Sequence, residues 1–289
     1  MENLIKALSS SNEADRIYAA QDIGETGDSD LAQPLLEQLP GESSQAVRDA
    51  IVFALKNLPC SGVYEGLFKL FRSADPYLRN AAIDIFGSEG NRAVSFLASH
   101  RGHQDGEVRK LILDALFATT APDAMTPIRL CLKDPSVNVR ITAVEYLGRM
   151  EDRESLDQML TLLREEDEPM LKIAILETIY QIAARQRDIA DALEALIPDK
   201  NYADMDLLYF PQAIRLAVKT GDPRAVADLI EAISKPDVYA EDIVHALEHA
   251  AWQFPDMLRS EPVQIIVKKI MAAGDEHIRN LCNTLLRQN

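Results

Sequence analysis

The chain has 289 residues, 47% of them hydrophobic and 26% charged, with a formal net charge of −16 and a pI near 4.7. That length is enough to bury a sizeable core. So acidic a balance argues against gripping a phosphate backbone, which takes clustered Lys and Arg. Abundant Ala and Leu with only 12 Gly lean towards an all-helical chain. Cys60, Cys131 and Cys282 are too few and too scattered for a disulfide framework or a zinc knuckle. The N-terminus shows no basic stretch leading into an apolar one, and no apolar run reaches transmembrane length. A cytoplasmic protein without nucleic-acid or membrane partners is the expectation.

A short helix is expected at Glu2–Leu8, and the chain then repeats itself. With a basic residue taken as position zero, Arg16, Arg48, Arg79, Arg109, Arg140 and Lys172 fall 32, 31, 30, 31 and 32 residues apart. Position −1 holds Asp15, Val47, Leu78, Val108, Val139 and Leu171; position +3 holds Ala19, Ile51, Ala82, Ile112, Ala143 and Ile175. Position +4 holds Ala20, Val52, Ile83, Leu113, Val144 and Leu176, and +7 holds Ile23, Leu55, Phe86, Leu116, Leu147 and Ile179. This is one apolar stripe at helical spacing. Only Asp15 breaks it, as suits a terminal repeat.

The clearest copy is the stretch from Asp134 to Gly148. Its helix is predicted to start near Asp134, with Pro135 in the first turn and the carboxylate as a cap, and to stop or turn at Gly148. Between such helices runs a second periodic segment, for example Asp123–Lys133 with Met125, Ile128, Leu130 and Leu132. Gly27, Gly90 and Pro122 mark the preceding turns. Each unit is thus helix, turn, helix in about 31 residues, and no strand pattern persists.

From Asp188 onward the register loosens. Helices are predicted at Asp188–Ile197, Pro223–Ser234, Ala240–Phe254, Pro262–Ala273 and Glu276–Arg287, the last restoring His277-Ile278-Arg279. The division expected is a regular array over 1–185, with divergent repeats over 186–289 that continue and cap it. Within the latter, 201–211 carries Tyr202, Leu207, Leu208, Tyr209 and Phe210 before Pro211, where a helix either kinks or begins. This stretch reads as a capping unit or as a partner-binding loop.

Asp-Pro-Ser-Val-Asn-Val-Arg followed by Ala-Val and Leu-Gly resembles a HEAT-type repeat, of the short variety named for phycobilisome lyases. The resemblance implies an all-α, right-handed α-solenoid of about nine antiparallel helix pairs. Independently of it, Arg140 sits within an apolar stripe, so its charge needs a partner. Asp75, Asp105, Asp134 and Asp167 lie four to six residues before position zero. The resemblance implies that such residues form a structural ladder between repeats. The ladder is expected at Asp134 and Arg140, with Arg79 and Arg109 as further rungs and Lys172 a weaker one.

Chemical motifs are sparse: there is no Gly-rich phosphate loop, nucleophile elbow or CxxC pair. His245-Ala-Leu-Glu-His249 fits H-x-x-E-H, and one helical turn could bring His245 and His249 to a zinc ion, with Glu248 and Glu241 nearby. Two solvated histidines on an acidic helix are the ordinary alternative. His100 and His103, near a turn, are a weaker pair. No cofactor is expected.

Position +5 points away from the apolar arc. It holds Gln21, Phe53, Asp84, Asp114, Glu145 and Glu177, and Glu248 joins them if Ile243 is taken as position zero. These carboxylates form an acidic ridge, which the resemblance places on the concave face. The ridge is either a solvated face or a groove for a basic peptide or protein, with Tyr18, Phe53 and Tyr77 as neighbouring contacts. The reading that follows is a non-enzymatic protein-binding scaffold. Its alternatives are a bilin-lyase-like or chromophore-protein maturation factor, through the resemblance, or a metal-binding HEAT-like enzyme. A HEAT-like DNA glycosylase would want a basic groove. A di-iron hydroxylase would want His-Glu pairs, whereas only the reversed Glu248-His249 and Glu276-His277 occur.

Overall fold

The computed structural model describes residues 2–197, 206–220, 223–232 and 240–287, which contain eighteen α-helices and no strand. The chain divides into two compact units, residues 1–143 and 144–289. Unit 1 holds α1 (Glu2–Leu8), α2 (Glu13–Thr26), α3 (Ala32–Gln38), α4 (Gln45–Asn57), α5 (Tyr64–Leu70), α6 (Pro76–Glu89), α7 (Asn91–Ser99), α8 (Gly106–Ala118), α9 (Met125–Leu130) and the first half of α10 (Val137–Arg149). Unit 2 holds the rest of α10 with α11 (Leu156–Glu165), α12 (Pro169–Ile182), α13 (Gln186–Leu196), α14 (Phe210–Thr220), α15 (Pro223–Ala232), α16 (Ala240–Gln253), α17 (Glu261–Ala273) and α18 (Glu276–Arg287). The boundary between units falls inside α10, whereas the sequence register changes near residue 185.

The even-numbered helices carry the register. The helices α2, α4, α6, α8, α10 and α12 each begin three residues before position zero, and α16 and α18 do so relative to Ile243 and Arg279. The cause is local. Position −4 supplies the cap: Asn12, Asp75, Asp105 and Glu168 each accept from the N–H two residues on, and Ser44 accepts from Val47 N–H. Each such cap satisfies a donor that the first turn leaves free, worth about 1 kcal/mol. The expectation that α10 starts near Asp134 is corrected. It starts at Val137, and Asp134 stays in the preceding turn, accepting from Ser136 N–H at 2.8 Å.

The apolar stripe is the buried face. Val47, Ile51 and Leu55 of α4 and Leu171, Ile175, Leu176 and Ile179 of α12 are fully enclosed. Each large side chain so withdrawn from water stabilises by about 1.5–3 kcal/mol. Within unit 1, α2 packs on α4, α4 on α6 and α6 on α8; within unit 2, α12 packs on α14, α14 on α16 and α16 on α18. The odd-numbered helices form their own layer, with α11 on α13 and α15 on α17.

Gly148 is the penultimate residue of α10, which stops at Arg149 in keeping with the expectation for that stretch. A Cβ at Gly148 would sit 3.1 Å from Thr178 of α12. The glycine lets two helices approach. The chain does need a glycine's freedom at Gly27 and Gly90, where φ is 68° and 59° at the ends of α2 and α6. In unit 2, α14 begins at Phe210 with Pro211 in its first turn, so the proline starts a helix and kinks none. Tyr209 and Phe210 are buried. Tyr202 and the rest of 198–205 lie outside the described residues.

Candidate protein-binding surface

Four of the five repeat arginines share one contact. Nη1 donates to the carbonyl of position −6: Arg16 to Ser10 at 2.9 Å, Arg79 to Ser73 at 2.6 Å, Arg109 to His103 at 2.8 Å and Arg140 to Asp134 at 2.9 Å. Each guanidinium thereby closes the turn ahead of its own helix. In Arg16, Arg48 and Arg109 the guanidinium also reaches a carboxylate in the next turn. Arg16 grips Glu42 at 2.9 and 3.0 Å, Arg109 grips Asp134 at 2.8 Å through both arms, and Arg48 meets Asp75.

The pairing expected at Asp134 and Arg140 is thus corrected. The carboxylate of Asp134 belongs to Arg109, one repeat earlier, and what Arg140 takes from Asp134 is the backbone carbonyl. A guanidinium at position zero faces its own turn and reaches forward along the array, so a carboxylate six residues before it lies behind that reach. Arg79 makes only the backward bond and forms no ion pair with Asp105 among the described residues. The hydrogen bonds from Arg16 hold the Glu42 carboxyl below the usual range against the opposing effect of burial, and Asp134 raises the Arg109 guanidinium.

The residues predicted to bind lie on the other side of the even-numbered helices. Phe53 of α4 and Tyr18 of α2 are 63% and 64% exposed, unusual for aromatics on a packed array. Phe53, Tyr77 and Asp84 come together in one cleft of about 260 Å³ between α4 and α6, together with Asp49, Lys56 and Asn80. Tyr77 is fixed there: its hydroxyl donates to Asp49 at 2.8 Å and its ring lies 4.2 Å from the Arg48 guanidinium carbon. Burial and then the Asp49 bond push the Tyr77 hydroxyl up, so it stays a donor. Asp84 faces solvent, whereas Asp114 is half-buried and meets Lys110 at 3.4 Å. Tyr18 and Asp114 do not line the cleft.

In unit 2 the ridge residues Glu145 and Glu177 are exposed and Glu248 is half-buried. The ridge is not uniformly acidic. When Ala213, Ile214 and Ala217 of α14 take +3, +4 and +7, position +5 is Arg215. Its guanidinium carbon lies 4.6 Å from the Tyr180 ring centroid, and Lys219 donates to the Tyr180 carbonyl. Loosened spacing hid this interruption from the sequence, although the burial of Ala213, Ile214 and Ala217 restores the register.

The H-x-x-E-H residues do not converge on a metal. His245 Nδ1 lies 3.1 Å from Glu248, while His249 Nε2 turns to the Tyr180 hydroxyl at 3.3 Å. Among the described residues no group of three or more His, Cys, Asp or Glu side chains is placed to hold an ion. His100 is packing: its ring lies 4.4 Å from both Phe68 and Phe96.

Sequence reasoning missed Glu89, buried at the end of α6. It accepts from the Tyr64 hydroxyl at 2.6 Å, Cys60 N–H at 3.2 Å and Arg92 at 3.1 Å. Burial raises its carboxyl, but these donors together outweigh it and hold the group below the usual range. Burial above all pushes the neighbouring Cys60 thiol to about 12, so it is not a nucleophile. A glutamate at a helix end gives no periodic signal of this role.

Helix pairs restarting about every 31 residues, capped at one register position and stitched by arginine forks, define a HEAT-like repeat protein. Residues 125–206 match the family model described as HEAT repeats. No curated protein matches the chain. Among solved structures it is similar to the complex of CpcE and CpcF of phycocyanin lyase from Nostoc sp. PCC7120, at 18% identity over 94% of each chain with a TM-score of 0.34. It is also similar to the E. coli protein YIBA, at 15% identity over 93% of this chain and 91% of that one, TM-score 0.40. A designed armadillo repeat protein matches at 16% identity over 62% of this chain and 98% of its own, TM-score 0.31.

Proposed function

We propose that the chain is a protein-binding scaffold whose α4–α6 face takes a basic segment of a partner protein, without transforming it. One observation carries this reading: exposed Phe53 shares a cleft with Tyr77 and the carboxylates of Asp49 and Asp84. Covering a phenylalanine side chain recovers about 2 kcal/mol, and aromatic anchors beside complementary charge are where interface energy concentrates. Two carboxylates against the single Lys56 leave the cleft at −1, on a chain of −16. That sign favours Lys or Arg on the partner and disfavours nucleic acid. No described helix is long and apolar enough to cross a membrane. We place the binding in the cytosol, in keeping with three free, buried cysteines.

The test is to pan a phage-displayed random peptide library against the full chain. Selected peptides should be rich in Lys and Arg and should lose binding to Phe53→Ala and to Asp84→Lys. Peptides without basic enrichment, or bound equally by both variants, would remove this face from the account.

A further inference from the structure

The turn edge of unit 1 holds a cleft of the opposite charge. Position −8 of the repeat is Leu8, Phe71 and Leu132 in the first, third and fifth repeats, all buried, while the second and sixth hold exposed Pro40 and Arg164. In the fourth repeat the position is Arg101, half-buried, followed by Gly102. A cation where neighbouring repeats put an apolar plug, next to a residue without a side chain, leaves an open cleft of about 410 Å³ against residues 130–135 of the next turn. A Cβ on Gly102 would meet nothing within 4 Å.

The buried Arg109–Asp134 pair and the Cys131 thiol form the floor of this cleft, and Arg101, Lys133 and Leu130 its more exposed wall. Three cations against one carboxylate make the lining +2 on a chain of −16. Arg109 is spent on Asp134. Arg101 and Lys133 are not: neither makes a side-chain hydrogen bond or ion pair among the described residues. Two uncommitted cations ask for about two negative charges, which a phosphate monoester carries near neutral pH and a carboxylate does not. Arginine adds a flat fork suited to phosphate oxygens, and lysine a point charge. Leu130, 54% exposed at the same cleft, offers an apolar wall that a bare ion would leave unused.

We propose that this cleft binds a phosphate monoester with an apolar body, its phosphate between Arg101 and Lys133 and its body against Leu130. The test is isothermal titration of the full chain with phenyl phosphate, inorganic phosphate and benzoate. Phenyl phosphate should saturate one site with a Kd below about 1 mM, and should bind about tenfold tighter than either inorganic phosphate or benzoate. Arg101→Ala and Lys133→Glu should each weaken it about tenfold, with unchanged melting curves. A phosphotyrosine peptide that binds more tightly than phenyl phosphate identifies a protein-borne ester, and one that binds no better identifies a free small molecule. No saturable binding of phenyl phosphate, equal binding of benzoate, or full binding by both variants overturns the proposal. If either variant unfolds, the order of the three probes on the wild-type chain decides.

Discussion

The turn edge and the helix face of unit 1 are both rich in charge and treat it in opposite ways. On the turn edge, Glu42 and Asp134 are buried and each is held by both arms of an arginine. On the face, Asp84 stays in water beside an uncovered Phe53. A carboxylate taken out of water persists only where its partner replaces the lost hydration. Such a pair is architecture. A carboxylate left hydrated beside an exposed aromatic has given up nothing in folding, and is free to spend its field on something else.

The largest expected effect breaks the buried side. Arg109→Ala leaves Asp134 buried without its partner and should cost about 3 kcal/mol in urea unfolding. Arg79→Ala loses a bond to a turn carbonyl alone and should cost about 1 kcal/mol. Equal losses would mean that the two register-equivalent arginines do the same job, against the geometry.

How much of this the sequence disclosed follows from what repeats. The stripe and the +5 positions were legible because burial recurs with the helix turn in six copies. The ladder partners were not. Asp134 precedes Arg140 so closely that local capping looks natural, yet its carboxylate is claimed by a residue 25 positions earlier. Only the stacking of one turn on the next brings these two together. Glu89 was hidden because a single buried acid makes no pattern, and Arg215 because the spacing that would align it had stretched. The histidines of α16 matched a metal motif in spacing, but their rings took separate partners, Glu248 and Tyr180.

A smaller effect is read through pH. Glu42, Asp75 and Glu89 are held below the ordinary values of 4.5, 3.8 and 4.5. Each therefore adds stability that is fully present above those values and is lost as pH falls through the lower folded-state ones. Melting temperature should drop on acidification below about pH 4.5, and Glu89→Gln should soften that drop. The smallest effect is on the face itself, where Phe53→Ala should move stability by no more than about 0.5 kcal/mol. A larger loss would make Phe53 part of the core.

Binding at the α4–α6 cleft, as proposed, rests on charge and an aromatic anchor. It is tested most directly by stopped-flow association of a panned basic peptide with the wild-type chain and with Asp84→Lys, across a range of salt concentrations. The wild type should associate faster at low salt and slow steeply as salt rises, while Asp84→Lys should associate more slowly with a flattened dependence. Identical rates and salt slopes for the two chains would contradict the claim and leave the acidic face as solvated surface.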